Sequence, residues 1–335
     1  MSAPTSRENP FRYSDTDKRY HSYDYYLRHR YGGKCVKLAL DAGFTCPNID
    51  GCCGRGGCIY CSSHGGGDFT FHGLSLREQY DRQRAIVGKK WETARCIPYL
   101  QAHTNTYAPI ERLRRVYEEA LSLPDAVALH IATRADCLGE EVLSLLAEIS
   151  ERIDLTVELG LQTVHDETAV AIRRGHTYAD FLVGFSSLRR RVPAARISVH
   201  LINGLPNEDR EMMLTSARIL AALAPDEVKI HLLHVLEGTE LAGLYEAGEY
   251  TPLTQDAYVD ILIGQLEYFS PKTVIGRVTG DGDRRTLLAP LWSLKKMSIL
   301  NDIRKKMRLL DTWQGKKWEN YVKTAQKVPW HFYGI

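Results

Sequence analysis

From residue 37 to residue 278 short apolar runs alternate with stretches whose apolar positions recur at three- and four-residue steps. The short runs predict strands at Lys37–Leu40, Cys96–Thr104, Ala126–Ala132, Leu155–Leu161, Arg196–Ile202 and Val228–Leu233. The stretches between them predict helices. Ser75–Val87 carries Leu76, Tyr80 and Ile86 on one side, and Ile110–Leu121 carries Leu113, Val116, Tyr117 and Ala120. Glu140–Arg152, Asp166–Arg174 and Glu208–Leu223 follow. A run of strand–helix units of this kind predicts an α/β fold, a partial (β/α)6 TIM-like barrel with parallel strands. Most strands close on polar residues: Gln101, His103 and Asn105 after the second, Thr133-Arg134-Ala-Asp136 after the third. Barrel enzymes place their chemistry at that end.

Past residue 240 the pattern changes. A helix is expected over Asp256–Phe269 and a further strand over Thr273–Val278, ending near Arg277 and Asp281. Leu294, Met297, Leu300, Ile303, Met307 and Leu310 then form an apolar stripe. The reading divides the chain into an arm (1–34), a barrel (35–285) and a helical, basic extension (286–335).

The chain has 335 residues, 44% of them apolar and 25% charged, with a net charge of +2. This is the composition of a soluble globular protein and announces no nucleic acid by itself. No run reaches the roughly 18 apolar residues of a membrane span. The N-terminus is polar, without the apolar core of a signal peptide. Eight cysteines in such a chain point to reduced thiols in a cytoplasm, and so to metal binding or catalysis. Charge is concentrated locally. The arm interleaves Tyr13, Tyr20, Tyr23, Tyr25, Tyr26 and Tyr31 with Arg12, Arg28, Arg30 and Lys34. That mixture suits stacking on single-stranded RNA, or equally packing across the barrel. Residues 295–327 hold ten Lys/Arg against three Asp/Glu, either a solvated helix face or a phosphate-contacting surface.

The chemistry is concentrated in residues 43–67, which contain five of the eight cysteines. Cys58 and Cys61 form a C-x-x-C pair, with Cys46 upstream. Such thiolates can hold one metal or corners of an iron–sulfur cluster. With Cys52 and Cys53 the pair could instead complete a four-thiolate zinc site. The loop follows the first strand, on the catalytic face of a barrel, and no second C-x-x-C knuckle accompanies it.

Cys46, Cys58 and Cys61, with Tyr60 before the last cysteine, resemble the radical S-adenosylmethionine superfamily. Gly43-Phe44, Cys46-Pro47-Asn48, Asp50-Gly51 and Gly56-Gly57-Cys58 resemble a bacterial subfamily related to the Elongator catalytic subunit. So do Leu236-Glu-Gly-Thr-Glu240, Arg277-Val-Thr-Gly-Asp281 and Ala289-Pro-Leu-Trp292-Ser-Leu-Lys-Lys296. The resemblance implies a [4Fe-4S] cluster on the three cysteines and S-adenosyl-L-methionine on its open iron, split to a 5′-deoxyadenosyl radical. Glu158-Leu-Gly-Leu-Gln162 and Arg174 resemble the Elongator and oxygen-independent coproporphyrinogen oxidase branches. There the Gln position touches the ribose and the Arg position the methionine carboxylate. Tyr60, Gln101, Arg134, Glu158, His200 and Asn203 join them as cofactor-binding candidates. His200 stands where the oxidase branch has an acid. The superfamily's Gly-Gly-Glu element is missing, and Gln101, His103 and Asn105 occupy its place. His103, Asn105, His231, His234, Arg277 and Asp281 are candidates for substrate contact.

The relationship implies modification of tRNA at C5 of the wobble uridine, trimming 5-carboxymethylaminomethyluridine to 5-aminomethyluridine, with an external electron donor. RNA contacts are expected at Arg28, Arg30, Lys295 and Lys296. Acetyl transfer is not expected, since too little chain follows the barrel for the acetyltransferase domain of the Elongator subunit. Two other readings stand beside this one: a radical enzyme acting on a small metabolite, and a non-enzymatic zinc or RNA-binding module.

Overall fold

The structure, a computed structural model, describes residues 9–67, 69–280 and 282–325. Strands β1 (Cys35–Leu40), β2 (Arg95–Leu100), β3 (Ala128–Thr133), β4 (Asp154–Gln162), β5 (Arg196–Asn203) and β6 (Glu227–Leu232) lie side by side in chain order. A short β7 (Val235–Leu236) pairs antiparallel with β9 (Leu287–Ala289), while β8 (Val274–Arg277) joins the main sheet beside β6. The resulting seven-stranded parallel sheet has β1 and β8 as its edges. It is the curled sheet of a partial TIM-like barrel.

The helices are α1 (Tyr23–Tyr31), α2 (Leu76–Gly88), α3 (Ile110–Leu121), α4 (Glu140–Ser150), α5 (Asp166–Ala171), α6 (Tyr178–Arg191) and α7 (Arg210–Ala222). Beyond them lie α8 (Glu240–Glu246), α9 (Gln255–Leu266), α10 (Lys296–Leu309) and α11 (Trp318–Ala325).

Strand alternation sorts the side chains. Leu38 and Leu40, Leu155, Val157 and Leu159, and Val228 and Ile230 enter one continuous apolar core with Leu113, Tyr117, Phe181 and Leu220 of the helices. The alternate positions carry Lys37, Glu158, Ser198, His200 and Lys229 into the concave side. The apolar layer therefore lies outside the sheet, and its concave face is polar.

Several elements depart from the sequence reading. β2 stops at Leu100, because the chain turns there and Asn105 donates to the carbonyls of Leu100, Ala102 and Ala132. The helix expected to reach Arg174 ends at Ala171, and the sequence reading omitted α6 altogether. Thr177 and Asp180 close a capping box at the start of α6, and Phe181, Phe185 and Leu188 are its buried positions. Gly184 is required there: a Cβ would lie 2.1 Å from the carbonyl oxygen of Ala135. In α10 the buried stripe is Ile299, Ile303 and Met307, with Met297 and Leu310 exposed. Ile86 of α2 is likewise exposed.

The arm packs against the barrel. Leu27 of α1 clusters with Cys35, Ile97 and Ala128, flanked by Tyr23, Tyr26 and Tyr31, so α1 plugs the N-terminal end of the strands. Arg28 pairs with Asp15 and Asp24, and Arg30 with Asp154. Residues 21–22 add a bridge to the β8 edge, where the amide of Ile275 donates to the carbonyl of His21 at 2.8 Å. Gln314, fully buried, accepts from the His21 amide at 2.8 Å and donates to the carbonyls of Ser270 and Thr273. Arm and C-terminal extension are thereby fastened to each other. No described helix is long and apolar enough to cross a membrane.

Candidate active site

The loop after β1 is held by its own backbone. The amides of Ile49 and Asp50 donate to the Cys46 carbonyl, and the Cys61 amide donates to Cys58 at 3.0 Å. Gly57, at φ +82°, supplies the left-handed turn that delivers Cys58. Buried Asn48 donates to the Arg173 carbonyl at 2.5 Å and approaches the Cys58 sulfur at 3.5 Å. That fastens the loop to the turn after α5.

Cys46, Cys58 and Cys61 line one cavity of about 250 Å³, together with Tyr60, Gln101, His103, Arg134, Glu158, Gln162, Arg174 and His200. A hydrogen bond from the Cys61 thiol, aided by the Arg174 and Arg134 cations, holds the Cys58 thiol down to about 5 against the cost of burial. Cys52 and Cys53 are exposed and line a separate cavity with Tyr107, Arg112 and Cys137. A zinc site combining them with Cys58 and Cys61 is therefore not built. Among the described residues no three His, Cys, Asp or Glu side chains converge on a single ion position.

β4 shapes the middle of the cavity. Its pairing with β5 slips between Gly160 and Gln162, and Gln162 has φ +75°, a region that non-glycine residues seldom occupy. Gly160 leaves the space: a Cβ there would lie 2.8 Å from Gln162 Nε2 and 2.9 Å from Arg174 Nη2. Arg174 donates from Nη2 to the Gly160 carbonyl at 2.6 Å. Arg134 is bidentate to Asp136 and donates to the carbonyls of Arg174 and Gly175. It fixes the turn that carries Arg174.

Four polar atoms lining this cavity are shielded from solvent yet meet no hydrogen-bond partner: His103 Nδ1, Gln162 Oε1, Arg174 Nε and His231 Nε2. Buried polar groups are rarely left so. Their concentration beside three thiols fits a polar ligand carrying both donors and acceptors, and the thiol donor set suits an iron–sulfur cluster.

Glu158 is the hub of the concave face. Its carboxylate is completely buried and accepts from Lys37 at 2.5 Å, His130 Nδ1 at 2.8 Å, His200 Nε2 at 3.1 Å and Lys229. Burial alone would raise its pKa, but the Lys229 and Lys37 cations outweigh that and hold it well below the usual carboxylate range. Burial pushes His130 down to about 3 and His200 to about 4. Both imidazoles are therefore neutral at pH 7 and donate to the carboxylate. Burial also lowers Lys229, to about 7, with Glu158 opposing. Glu158, a cofactor-binding candidate in the sequence reading, is thus satisfied by protein groups. Lys37, His130 and Lys229 were missed there. Their signal is a lone charged or imidazole residue flanked by apolar neighbours in a parallel strand.

Two candidates turn elsewhere. Asn105 uses its amide on three backbone carbonyls, and Asn203 exchanges two 2.8 Å hydrogen bonds with Gln265 of α9. Both stitch the barrel wall, and neither lines the cavity of the three cysteines. His234 lines a second cavity in the gap between β1 and β8; His231 and Arg277 line both. Asp281 lies outside the described residues.

Comparison with known proteins agrees with this geometry. Residues 49–220 match the model of the Radical SAM superfamily, and residues 225–308 match that of the Radical_SAM C-terminal domain. YtqA of Bacillus subtilis (strain 168) is 44% identical over 311 residues, covering 92% of this chain and 96% of YtqA. The tRNA uridine(34) acetyltransferase of Methanocaldococcus jannaschii is 30% identical over 182 residues, covering 53% of this chain and 32% of that protein. The structure of the archaeal Methanocaldococcus infernus Elp3 superposes with a TM-score of 0.60 at 20% identity, covering 82% of this chain and 63% of that one. The chain is an enzyme of the radical S-adenosylmethionine superfamily, whose cofactors are a [4Fe-4S] cluster and S-adenosyl-L-methionine.

Proposed function

We propose that this enzyme modifies tRNA at C5 of the wobble uridine, trimming 5-carboxymethylaminomethyluridine to 5-aminomethyluridine. The observation that carries the reading is a pair of adjacent cavities. The cavity holding the three cysteines and the partnerless polar atoms shares Tyr99, Gln101, Lys229, His231 and Arg277 with the cavity in the barrel gap. A cofactor lodged in the first would face a substrate entering through the second. Kinship with a tRNA uridine(34) acetyltransferase supports tRNA as the substrate.

In this reading Cys46, Cys58 and Cys61 hold the cluster. Gln162 takes the ribose of S-adenosylmethionine and Arg174 its carboxylate, as a guanidinium grips a carboxylate through paired N–H groups. His103 and Gln101 complete the polar wall, and Tyr60 shields the thiols. When bound, the cofactors would supply a 5′-deoxyadenosyl radical, made with one electron from an external donor. Loss of a hydrogen atom to it and of one further electron to a one-electron acceptor from the carboxymethyl CH2 would leave an iminium that water cleaves to the 5-aminomethyl amine, glyoxylate and a proton. The chain's own residues position and exclude. Arg134 fixes the Arg174 turn, Gly160 leaves room for it, and the Glu158 network keeps the concave wall rigid. The free thiols support a reducing compartment, a cytoplasm, for this reaction.

The test is anaerobic reconstitution, reduction with dithionite and incubation with S-adenosylmethionine and tRNA bearing 5-carboxymethylaminomethyluridine, followed by nucleoside analysis. Appearance of 5-aminomethyluridine with 5′-deoxyadenosine, and neither with Cys58→Ala, is the expected result. Release of 5′-deoxyadenosine with every tRNA nucleoside unaltered would overturn the tRNA reading and leave a small-metabolite enzyme.

A further inference from the structure

We propose that the cavity in the barrel gap is a carboxylate-binding subsite in which Arg277 selects substrates carrying a carboxylate next to the reacting carbon. The inference rests on the wobble-uridine reading and names the group of the modified base that the site recognises.

The gap cavity is large, about 650 Å³, and lies between the edge strands. Its cations are not equivalent. Lys34 pairs with Asp24 at 2.5 Å, and Lys37 and Lys229 both pair with Glu158. Arg277, at the end of β8, is exposed, and its guanidinium makes no hydrogen bond or ion pair among the described residues. The acid that lines this cavity, Asp24, is already bonded to Lys34 and Arg28. A guanidinium with no carboxylate opposite it, at the seam of two cavities, is a site for an anion.

His231 gives the second observation. Its ring lies 5.2 Å from that of His200, and its Nε2 is shielded and partnerless. Burial holds this imidazole well below its ordinary range, so it is neutral and can present one N–H to an oxygen. Arg277 and His231 line the same two cavities. One planar fork and one N–H donor match the acceptors of a carboxylate. A phosphate of the RNA backbone shares the anionic oxygens, but a sugar separates it from the base. Any group adjacent to the reacting carbon must lie beside the cofactor cavity, and Arg277 lines that cavity. The carboxylate of a carboxymethylamino substituent meets this condition.

The experiment compares binding of two tRNAs to the full-length, cluster-loaded protein in the presence of S-adenosylmethionine. One carries 5-carboxymethylaminomethyluridine and the other 5-aminomethyluridine; both have the same backbone. Arg277→Gln is expected to weaken the first about ten- to hundredfold and leave the second unchanged, the loss of one charge-assisted interaction. Arg277→Lys restores part of the difference. Thermal unfolding checks the fold, to which the Arg277 guanidinium contributes no hydrogen bond or ion pair among the described residues. Equal weakening of both tRNAs would overturn the proposal in favour of a backbone phosphate contact. Conversion of the carboxylate-bearing tRNA with undiminished discrimination by Arg277→Gln would overturn the subsite while the wobble reading stands. A protein that binds and alters neither tRNA is tested with N-ethylglycine and inorganic phosphate, following the His231 ring by NMR. Arg277-dependent binding of N-ethylglycine alone would then uphold the subsite and remove the wobble reading. Binding of neither probe, or of both alike, would overturn the subsite.

Discussion

Replacing Glu158 with Gln keeps the shape of the hub and removes its charge. In the native fold this carboxylate has no exposure, Lys229 retains 8% and Lys37 17%, so the three charges share a poorly solvated space. Removing one partner of a buried ion pair costs about 3–5 kcal/mol, chiefly through the charge left behind. Lys229 relieves part of this by losing its proton, since its pKa is already down to about 7 with Glu158 present. The expected loss is therefore near the lower end, about 3 kcal/mol at pH 7. It also has a definite pH dependence. Below about 7 the native protein gains from a charged Lys229 beside Glu158, and the variant cannot, so the deficit widens as pH falls and narrows toward pH 9. Urea unfolding of the apo protein under reducing, anaerobic conditions measures it through tryptophan fluorescence. Lys229→Met in the Glu158→Gln background removes the stranded amine, and the pair is expected to couple by about 2 kcal/mol. A single variant within about 0.5 kcal/mol of the parent, or strictly additive effects, would refute the buried-hub argument.

Further outcomes follow from the same geometry. Gly184→Ala forces a Cβ onto the Ala135 carbonyl and should cost about 3 kcal/mol, seen as a lowered melting temperature. His130 and His200 are neutral in the fold, at about 3 and 4, and ordinary near 6.5 when unfolded. Their stabilisation is thus complete above about pH 6.5 and is lost as pH falls toward 4, by roughly 1.4 kcal/mol per unit per group. A melting-temperature series from pH 7 to 4.5 should show the decline, and His130→Gln should flatten it. Because Cys52 and Cys53 face a different cavity from the other loop cysteines, replacing both with Ala should leave reconstituted iron and sulfide at parent level. Cys58→Ala should not retain them.

The parallel strands were legible because each is a short apolar run bounded by turns, and the cysteine loop because thiol spacing is local. What escaped depended on register. Nothing in one strand says that Lys37, His130, Glu158, His200 and Lys229, from five strands, meet at one carboxylate. Asn105 and Asn203 look alike in sequence to Gln101 and Gln162, being polar residues near strand ends. They differ in which wall of the turn they face, a choice made by the carbonyls of Leu100 and Ala132 and by Gln265. The omission of α6 was avoidable, since its Thr177–Asp180 capping box and apolar positions are local signals. The arm's tyrosines had two readings by composition. Tyr23 reaches His130 at 3.3 Å and stands beneath Lys37, a contact that no composition predicts.

The clasp formed by Arg19, His21 and Gln314 also bears on the order of assembly. Arg19 reaches Asp311 and the carbonyls of Met307 and Thr312, while His21 meets Ile275 and Gln314. Residues 19–21 complete this set of partners only once residues beyond 300 have been made, whereas Leu27 of α1 already finds Cys35, Ile97 and Ala128. Strands β1 to β6 can pair as they emerge, each beside its predecessor, and α1 can dock at their N-terminal ends once Ala128 and Asp154 are made, but the clasp must wait for residues 311–314. Joining arm to extension is thus a late, long-range event of the kind that slows folding.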